Sequence, residues 1–97
     1  MTRSRQEPLT PARTTAFKKD IARCRKRGYD MDVARVVMGR LIHRQPLDTE
    51  HRDHPLKGEW AGHRECHIRA DWLLVYRIDG DTIIFERTGS HSDLFDE

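Results

Sequence analysis

Apolar residues recur at helical spacing in the first half of the chain and in strand-like runs in the second half. One helix is predicted to begin after Thr14 or Thr15, either of which can act as its N-cap, and to end at Gly28. A second helix is predicted to begin at Asp30 and to end before Pro46, which cannot continue a helix. The apolar stripes consist of Phe17, Ile21 and Cys24 in the first helix and of Val33, Val36, Val37 and Leu41 in the second. The short connection predicts an antiparallel helix pair.

Strand-like runs lie on both sides of this helix pair. Residues 9–13 predict a short edge strand, because Pro11 has no amide hydrogen to give to a central strand. A loop is predicted over residues 46–62, and loops of that length in small domains are often functional. The runs 64–69, 72–79 and 82–88 then predict a meander with a hairpin turn at Asp79 and Gly80, and residues 90–95 predict one last helical turn.

Together these elements predict an α+β fold. We expect a small antiparallel sheet, made of the short N-terminal edge strand and the three-strand meander, packed on one face against the N-terminal helix pair. The length of 97 residues suits one domain. We predict that this domain spans residues 9–97 and that residues 1–8, which are polar and basic and end at Pro8, form a flexible tail.

Charge is distributed unevenly along the chain, although the net charge is only +2. Residues 1–44 carry 12 Lys/Arg and 4 Asp/Glu, whereas residues 45–97 carry 6 and 12. The basic half is a candidate nucleic-acid surface, and a solvated helix face is the alternative. Two cysteines are too few for a disulfide framework. The chain has neither a membrane-length apolar run nor an apolar secretory signal, so we expect a cytoplasmic protein without membrane contact.

The histidines are concentrated after the helices. None of the six falls before the end of the second predicted helix, and they are His43, His51, His54, His63, His67 and His91. Histidine has an unperturbed pKa close to neutrality and can therefore give and take protons. Metal-free RNA cleavage needs a base, an acid, a cation for the phosphate and a group that stacks a nucleobase. The candidates are His54, His67 and His91 for acid–base chemistry, Arg87 as the cation, Phe95 for stacking and Asp71 to orient a histidine or a substrate hydroxyl.

Each candidate also has a plainer interpretation. A loop histidine can simply be solvated, and Arg87 can form a surface ion pair with Glu86. Phe95 can anchor the C-terminus on the core, Asp71 can shape a turn, and Trp72 alternates with Leu74 and Tyr76 as core residues do.

A zinc site is a further alternative. His51 and His54 are separated by two residues, and Cys66 and His67 follow in the next strand. No paired-cysteine motif supports this alternative, so we predict no metal and no other cofactor.

Three runs of the sequence resemble the YafQ-type toxins of the RelE/ParE superfamily. They are residues 53–60 (DHPLKGEW), 66–76 (CHIRADWLLVY) and 85–95 (FERTGSHSDLF), and residues 17–20 (FKKD) at the start of the first helix add to the similarity. The resemblance covers roughly residues 10–95 and is specific through the combination of runs. It implies a RelE-like fold and functional positions at His54, His67, Asp71, Trp72, Arg87, His91 and Phe95. Lys57, inside the first run, is a further candidate for substrate binding.

The resemblance also implies a function and partners. Such proteins are toxins of type II toxin–antitoxin systems that cut mRNA in the ribosomal decoding site without a metal ion and so inhibit translation. A cognate antitoxin protein silences the toxin, and operator DNA is bound only through the toxin–antitoxin complex. We expect that antitoxin to be acidic and partly disordered where it meets the basic helices, and to fold as it binds.

The hypothesis that follows is an endoribonuclease working by 2′-hydroxyl attack. The RNA lies in a basic concavity between sheet and helix pair, His54 or His67 takes the 2′-hydroxyl proton, His91 protonates the 5′-oxygen and Arg87 neutralises the phosphate. The alternatives are a non-nuclease toxin of the same fold, like the gyrase-directed ParE group, and an RNA- or ribosome-binding module. The sequence leaves open which histidine is the base, the codon preference, and the surface covered by the antitoxin.

Overall fold

The structure is a computed structural model and describes residues 7–95. Three helices are present, α1 (Thr15–Lys26), α2 (Met31–Ile42) and the short α3 (His91–Phe95). Five strands are present, β1 (Thr10–Arg13), β2 (His54–Pro55), β3 (Arg64–Arg69), β4 (Trp72–Asp79) and β5 (Thr82–Gly89). Two 3₁₀ turns, Thr49–His51 and Gly58–Trp60, interrupt the loop before β3. Except for Glu7 and Pro8, the predicted N-terminal tail lies outside the described residues.

The predicted ends of the two long helices agree with the structure. Thr14, rather than Thr15, is the N-cap of α1, because its hydroxyl accepts the amide of Phe17 at 2.9 Å. Asp30 caps α2 by accepting the amide of Asp32 at 3.0 Å. Gly28 follows α1 with a φ of +88°, a conformation that a side chain would strain. Local capping chemistry therefore sets these boundaries.

The sheet confirms the α+β class and differs from the prediction in two details. Its strand order is β1-β5-β4-β3-β2, with β3, β4 and β5 forming the predicted antiparallel meander. The edge strand β1 pairs in parallel with β5, from Thr10 opposite Thr82 to Arg13 opposite Phe85, so the sheet is mixed rather than antiparallel. His54 and Pro55, predicted to lie in a loop, pair with β3 as the other edge strand.

One hydrophobic core joins the helices to the sheet. The rings of Phe17 in α1 and Phe85 in β5 lie 5.8 Å apart between centroids, and Val37 of α2 is buried in the same cluster. Both cysteines are free and buried, and burial raises the pKa of each thiol. Among the described residues, no helix is long and apolar enough to cross a membrane. The helices cover one part of the sheet, and the end of β3 and the start of α3 remain accessible.

Candidate active site

The strand register brings His67 and His91 together. His67 in β3 pairs with Leu73 in β4, and Leu73 pairs with Gly89 at the end of β5. The chain after Gly89 therefore returns beside His67, and the two imidazole centroids lie 5.8 Å apart. The order and register of the meander strands thus produce this approach.

Three predicted histidines share one hydrogen-bonding arrangement. The Nδ1 atom of His91 lies 2.6 Å from Oδ1 of Asp71, and that of His54 lies 2.6 Å from the carbonyl oxygen of Arg52. The Nδ1 atom of His67 lies 3.3 Å from the carbonyl oxygen of Ala70. Because every acceptor is an oxygen, Nδ1 must be the donor in each case. Nε2 of each ring is therefore left for chemistry.

Glu65 is a member of this cluster that the sequence analysis missed. It is only 6% exposed, and its Oε1 lies 3.7 Å from Nε2 of His54 and 3.9 Å from Nε2 of His67. A signal for it was present, because Glu65 and His67 are two residues apart in a predicted strand and so share a face. The carboxylate can stabilise positive charge on either imidazole.

The cluster also has the donor set of a metal site. Glu65, His67 and His91 each offer one ligand atom, and these atoms lie within 4.8 Å of one another. A carboxylate with two imidazoles suits a divalent transition metal. The zinc alternative from the sequence does not assemble, since Cys66 is fully buried in the core and Nδ1 of His51 donates to the carbonyl oxygen of His67 at 2.6 Å.

Asp71 acts on His91 through the main chain as well as the side chain. Its Oδ1 also accepts the backbone amide of His91 at 3.0 Å. These two hydrogen bonds lower the pKa of Asp71 from its ordinary value, the backbone bond contributing most. Asp71 therefore stays ionised and holds both the ring and the start of α3 in place.

The guanidinium of Arg87 forms an ion pair with a carboxylate of α1, that of Asp20. Its Nε and Nη2 donate to Asp20 at 2.6 and 3.1 Å, and this pairing raises the pKa of the guanidinium. Asp20 is buried and also accepts the amide of Thr88 at 3.1 Å. The surface pair of Arg87 with Glu86 is thus not formed, and Glu86 instead contacts His63 at 3.1 Å. Arg87 lies in the same cross-strand row as Glu65, with Val75 between them.

A second ion pair fixes the helix that carries His91. Arg27, just after α1, donates to both oxygens of Asp93 at 2.7 and 3.1 Å, and this pairing holds the pKa of Asp93 well below its usual range. Asp93 Oδ2 also accepts the amide of Ser90 at 2.9 Å. Gly89 permits the close approach, because a Cβ there would lie 2.9 Å from Asp93 Oδ2. Sequence analysis missed Asp93 and Asp20 as positioning residues.

The remaining predicted residues lie around the cluster. Phe95 ends α3 with its ring 6.2 Å from that of Trp60. Trp72 is 3% exposed and donates its indole N–H to the Thr88 hydroxyl at 2.9 Å, so the plainer interpretation of it as a core residue fits its position. Lys57 is exposed in the loop before β3. Among residues 7–95, Glu65 thus contacts His54 and His67, the rings of His67 and His91 adjoin, and Asp71 holds His91, whereas the contacts described for Arg87 and Phe95 lie outside that group.

Comparisons with known protein sequences give matches over most of the chain. A family model described as the bacterial toxin of type II toxin–antitoxin system, YafQ, matches residues 9–96. The mRNA interferase toxin YafQ of Escherichia coli K12 is 40% identical over 80 residues, which cover 81% of this chain and 87% of that protein.

Two solved structures have a fold similar to that of this chain. The toxin in the crystal structure of the E. coli DinJ–YafQ toxin–antitoxin complex matches with a TM-score of 0.84 and 36% identity, covering 91% of this chain and 98% of that one. A metal-bound toxin from Helicobacter pylori matches with a TM-score of 0.84 and 43% identity, covering 90% of this chain and 99% of that one.

Proposed function

The chain belongs to the YafQ family of toxins of bacterial type II toxin–antitoxin systems, and on this premise we propose that its histidine cluster cuts mRNA without a metal ion. As a family member it is an mRNA interferase toxin, and so an endoribonuclease. The observation that carries the proposed chemistry is the shared anchoring of three imidazoles through Nδ1, which leaves three Nε2 atoms for proton transfer around the carboxylate of Glu65.

His91 is assigned the acid. Its Nδ1 hydrogen goes to Asp71, so Nε2 is the atom that can deliver a proton to the departing 5′-oxygen. Asp71 fixes the ring direction and stabilises the imidazolium that must precede this transfer.

The base is His54 or His67. Both present Nε2 toward Oε1 of Glu65, at 3.7 and 3.9 Å, and either can take the proton of the 2′-hydroxyl. Glu65 stabilises the charge that appears on the ring as this proton arrives. The attack of the 2′-oxygen on phosphorus then breaks the bond to the 5′-oxygen and leaves a 2′,3′-cyclic phosphate and a 5′-hydroxyl.

Arg87 is assigned the phosphate, and its partner Asp20 determines which nitrogen is free to bind it. Asp20 occupies its Nε and Nη2 and offsets part of its charge, whereas Nη1 makes no hydrogen bond within residues 7–95. A guanidinium held in one orientation by a buried carboxylate is preorganised for an oxyanion. The phosphate then lies between the Nη1 atom of Arg87 and the histidines, with Lys57 and Phe95 contacting the flanking nucleotides.

Metal independence is part of the proposal, because the acid, the base and the cation are all side chains of this chain. The Glu65–His67–His91 group can hold a metal ion, and the H. pylori toxin is metal-bound. An ion there would engage the proposed acid, His91, and one of the two candidate bases, His67. Purified protein should therefore cut ribosome-bound mRNA equally well with and without a chelator that removes transition metals and leaves the Mg²⁺ of the ribosome in place, and loss of cutting under such chelation would overturn this part.

The partners proposed follow from the family. Membership supports a cognate antitoxin, as in the DinJ–YafQ complex. We further propose that the substrate is mRNA in the ribosomal decoding site in the cytoplasm, and that operator DNA is met only through the toxin–antitoxin complex. Lys18, Lys19 and Arg25 of α1 are exposed and suit contact with RNA or an acidic antitoxin segment.

The test is expression of wild type, His91→Ala and the control His43→Ala in a bacterial host, with primer extension on a reporter transcript. His43 is exposed at the end of α2, so its loss removes a histidine without touching the cluster. Growth arrest with new in-frame cuts in wild type and His43→Ala, both lost in His91→Ala, is expected. Arrest without cuts that persists in His91→Ala would favour a non-nuclease toxin of the same fold.

A further inference from the structure

A cavity of about 340 Å³ opens beside the Asp71–His91 pair, and no step of the proposed mechanism uses it. It is lined by Tyr29, Asp30, Arg69, Ala70, Asp71 and Trp72. Its volume lies within the range of sites that hold small organic groups, about 300–1,000 Å³. We infer that this cavity binds the nucleobase of the nucleotide on the 3′ side of the cut, an inference that rests on the proposed nuclease function.

Tyr29 supplies a rigid stacking surface. Its ring meets that of Trp72 edge-on, with centroids 4.9 Å apart and planes at 62°. Trp72 is buried and its indole donates a hydrogen bond to Thr88, so the ring against which Tyr29 packs is held in one position. Unpaired RNA bases are commonly held on aromatic rings or on arginine planes. A preformed ring costs little conformational entropy when a base stacks on it.

The charges around the cavity favour a base over a phosphate. Arg69 is exposed and makes no ion pair or hydrogen bond within the described part of the chain, so its guanidinium is available to a ligand. The carboxylates of Asp30 and Asp71 also line the cavity. Two carboxylates beside one cation repel a phosphate, whereas they can accept hydrogen bonds from the N–H groups of a base as Arg69 donates to its acceptors.

The position of the cavity assigns the base to one side of the cut. A second cavity, of about 670 Å³, shares Arg69 and Ala70 with the first and adjoins His67. The smaller cavity adjoins Asp71, the partner of the proposed acid. The acid acts on the 5′-oxygen, which belongs to the nucleotide on the 3′ side. The base of that nucleotide is therefore the one within reach of Tyr29 and Arg69.

The experiment uses 5′-labelled mRNA on programmed ribosomes, with the cut site mapped first with wild type. In a second mRNA the nucleotide on the 3′ side of that cut is replaced by an abasic residue. Stacking of one base is worth about 1–3 kcal/mol. We therefore expect wild type to cut the abasic mRNA about tenfold less efficiently in kcat/KM, and Arg69→Ala to cut both mRNAs at nearly the same reduced rate.

Two further variants make the outcome decisive. Arg13→Ala removes the same charge from the far edge strand β1 and should keep the full tenfold discrimination. Tyr29→Leu, once its thermal unfolding shows a folded protein, should lose discrimination as Arg69→Ala does. Equal discrimination in wild type, Arg69→Ala and Tyr29→Leu would overturn the base site. Failure of wild type to cut either mRNA, or cutting that survives His91→Ala, would instead overturn the proposed function.

Discussion

One carboxylate oxygen of Asp71 holds His91 at two points, receiving Nδ1 at 2.6 Å and the backbone amide at 3.0 Å. The turn between β3 and β4 is thereby joined to the first residue of α3. The ring of His91, the proposed acid, stands at the start of a five-residue helix that has little packing of its own to orient it. The direction in which His91 presents Nε2 therefore depends on Asp71.

Replacing Asp71 should slow the reaction without unfolding the protein, since Asp71 is exposed. We expect Asp71→Ala to lower kcat by about tenfold to a hundredfold, and His91→Ala to lower it by about 10²–10⁴, the span of acid–base catalysis. Because its hydrogen bonds lower the pKa of Asp71, the carboxylate is ionised throughout neutral and mildly acidic pH. Asp71→Ala should therefore be slower than wild type at every pH between about 5 and 8, the physiological range. Equal rates of wild type and Asp71→Ala at neutral pH would contradict this assignment.

The Arg27–Asp93 pair should make stability depend on acidic pH. Arg27 holds the folded-state pKa of Asp93 below its unfolded value, which is about 3.9 for aspartate. A depressed pKa stabilises the fold above the unfolded value, and this contribution is lost as pH falls through the folded one. Wild type should thus have a higher Tm than Asp93→Asn at neutral pH, and the difference should shrink below about pH 4.

A matched control is available for that comparison. Asp79 pairs loosely with Arg77 at 3.8 Å and is 76% exposed, so Asp79→Asn should change Tm little at any pH. If the Tm difference of Asp93→Asn were the same at neutral and strongly acidic pH, the ion pair would not be the cause.

Asp20 should contribute both to stability and to rate. Its side chain is 3% exposed and accepts hydrogen bonds from Arg23, Arg87 and the amide of Thr88. Breaking a buried pair costs about 3–5 kcal/mol, and the partial exposure of both arginines reduces the expected loss for Asp20→Asn to about 2–3 kcal/mol. Urea unfolding measures this loss, with the exposed Asp32→Asn as a control near zero. If folded Asp20→Asn kept the wild-type cleavage rate, the reaction would not depend on the ion pair between Asp20 and Arg87.

Much of the fold was predictable because it depends on local patterns. Capping residues and apolar periodicity defined α1 and α2, and the bounds of β3 and β4 coincide with the predicted runs. The parallel pairing of β1 with β5 was not predictable in this way, since a four-residue strand carries no signal for a partner some 70 positions away. The pairing of His54 and Pro55 with β3 was missed because two residues show no periodicity.

Some residues of the candidate site were predictable from the sequence in the same way, and others were not. His54, His67, Asp71 and His91 were identified from residue type and from a family resemblance, and side-chain contacts in the structure join them. Asp20 and Asp93 were missed because each acts on a residue 66 to 68 positions away. A buried carboxylate of that kind looks like any surface acid in a sequence until the fold shows its partner.

Transition-metal ions should inhibit the enzyme rather than activate it. Glu65, His67 and His91 form a donor set for Zn²⁺ or Cu²⁺, and an ion there would occupy the proposed acid, His91, and one candidate base, His67. Titration of cleavage rate with Zn²⁺ should show inhibition that a chelator reverses. Glu65→Gln should require more Zn²⁺ for the same inhibition. Glu50→Gln, in the exposed Asp48–Glu50–His51 group, should leave the inhibition unchanged. Activation by Zn²⁺ would contradict the metal-free mechanism.

The chemistry of the RNA ends tests the central claim most directly. The mRNA cut by wild type in the presence of a transition-metal chelator that spares Mg²⁺ should carry a 2′,3′-cyclic phosphate or 3′-phosphate on one fragment and a 5′-hydroxyl on the other. A 2′-O-methyl group at the mapped cut should block the reaction, because the attacking hydroxyl is gone. Fragments bearing 5′-phosphates, or continued cutting at the 2′-O-methylated position, would contradict attack by the 2′-hydroxyl and the proton transfers assigned to the histidines.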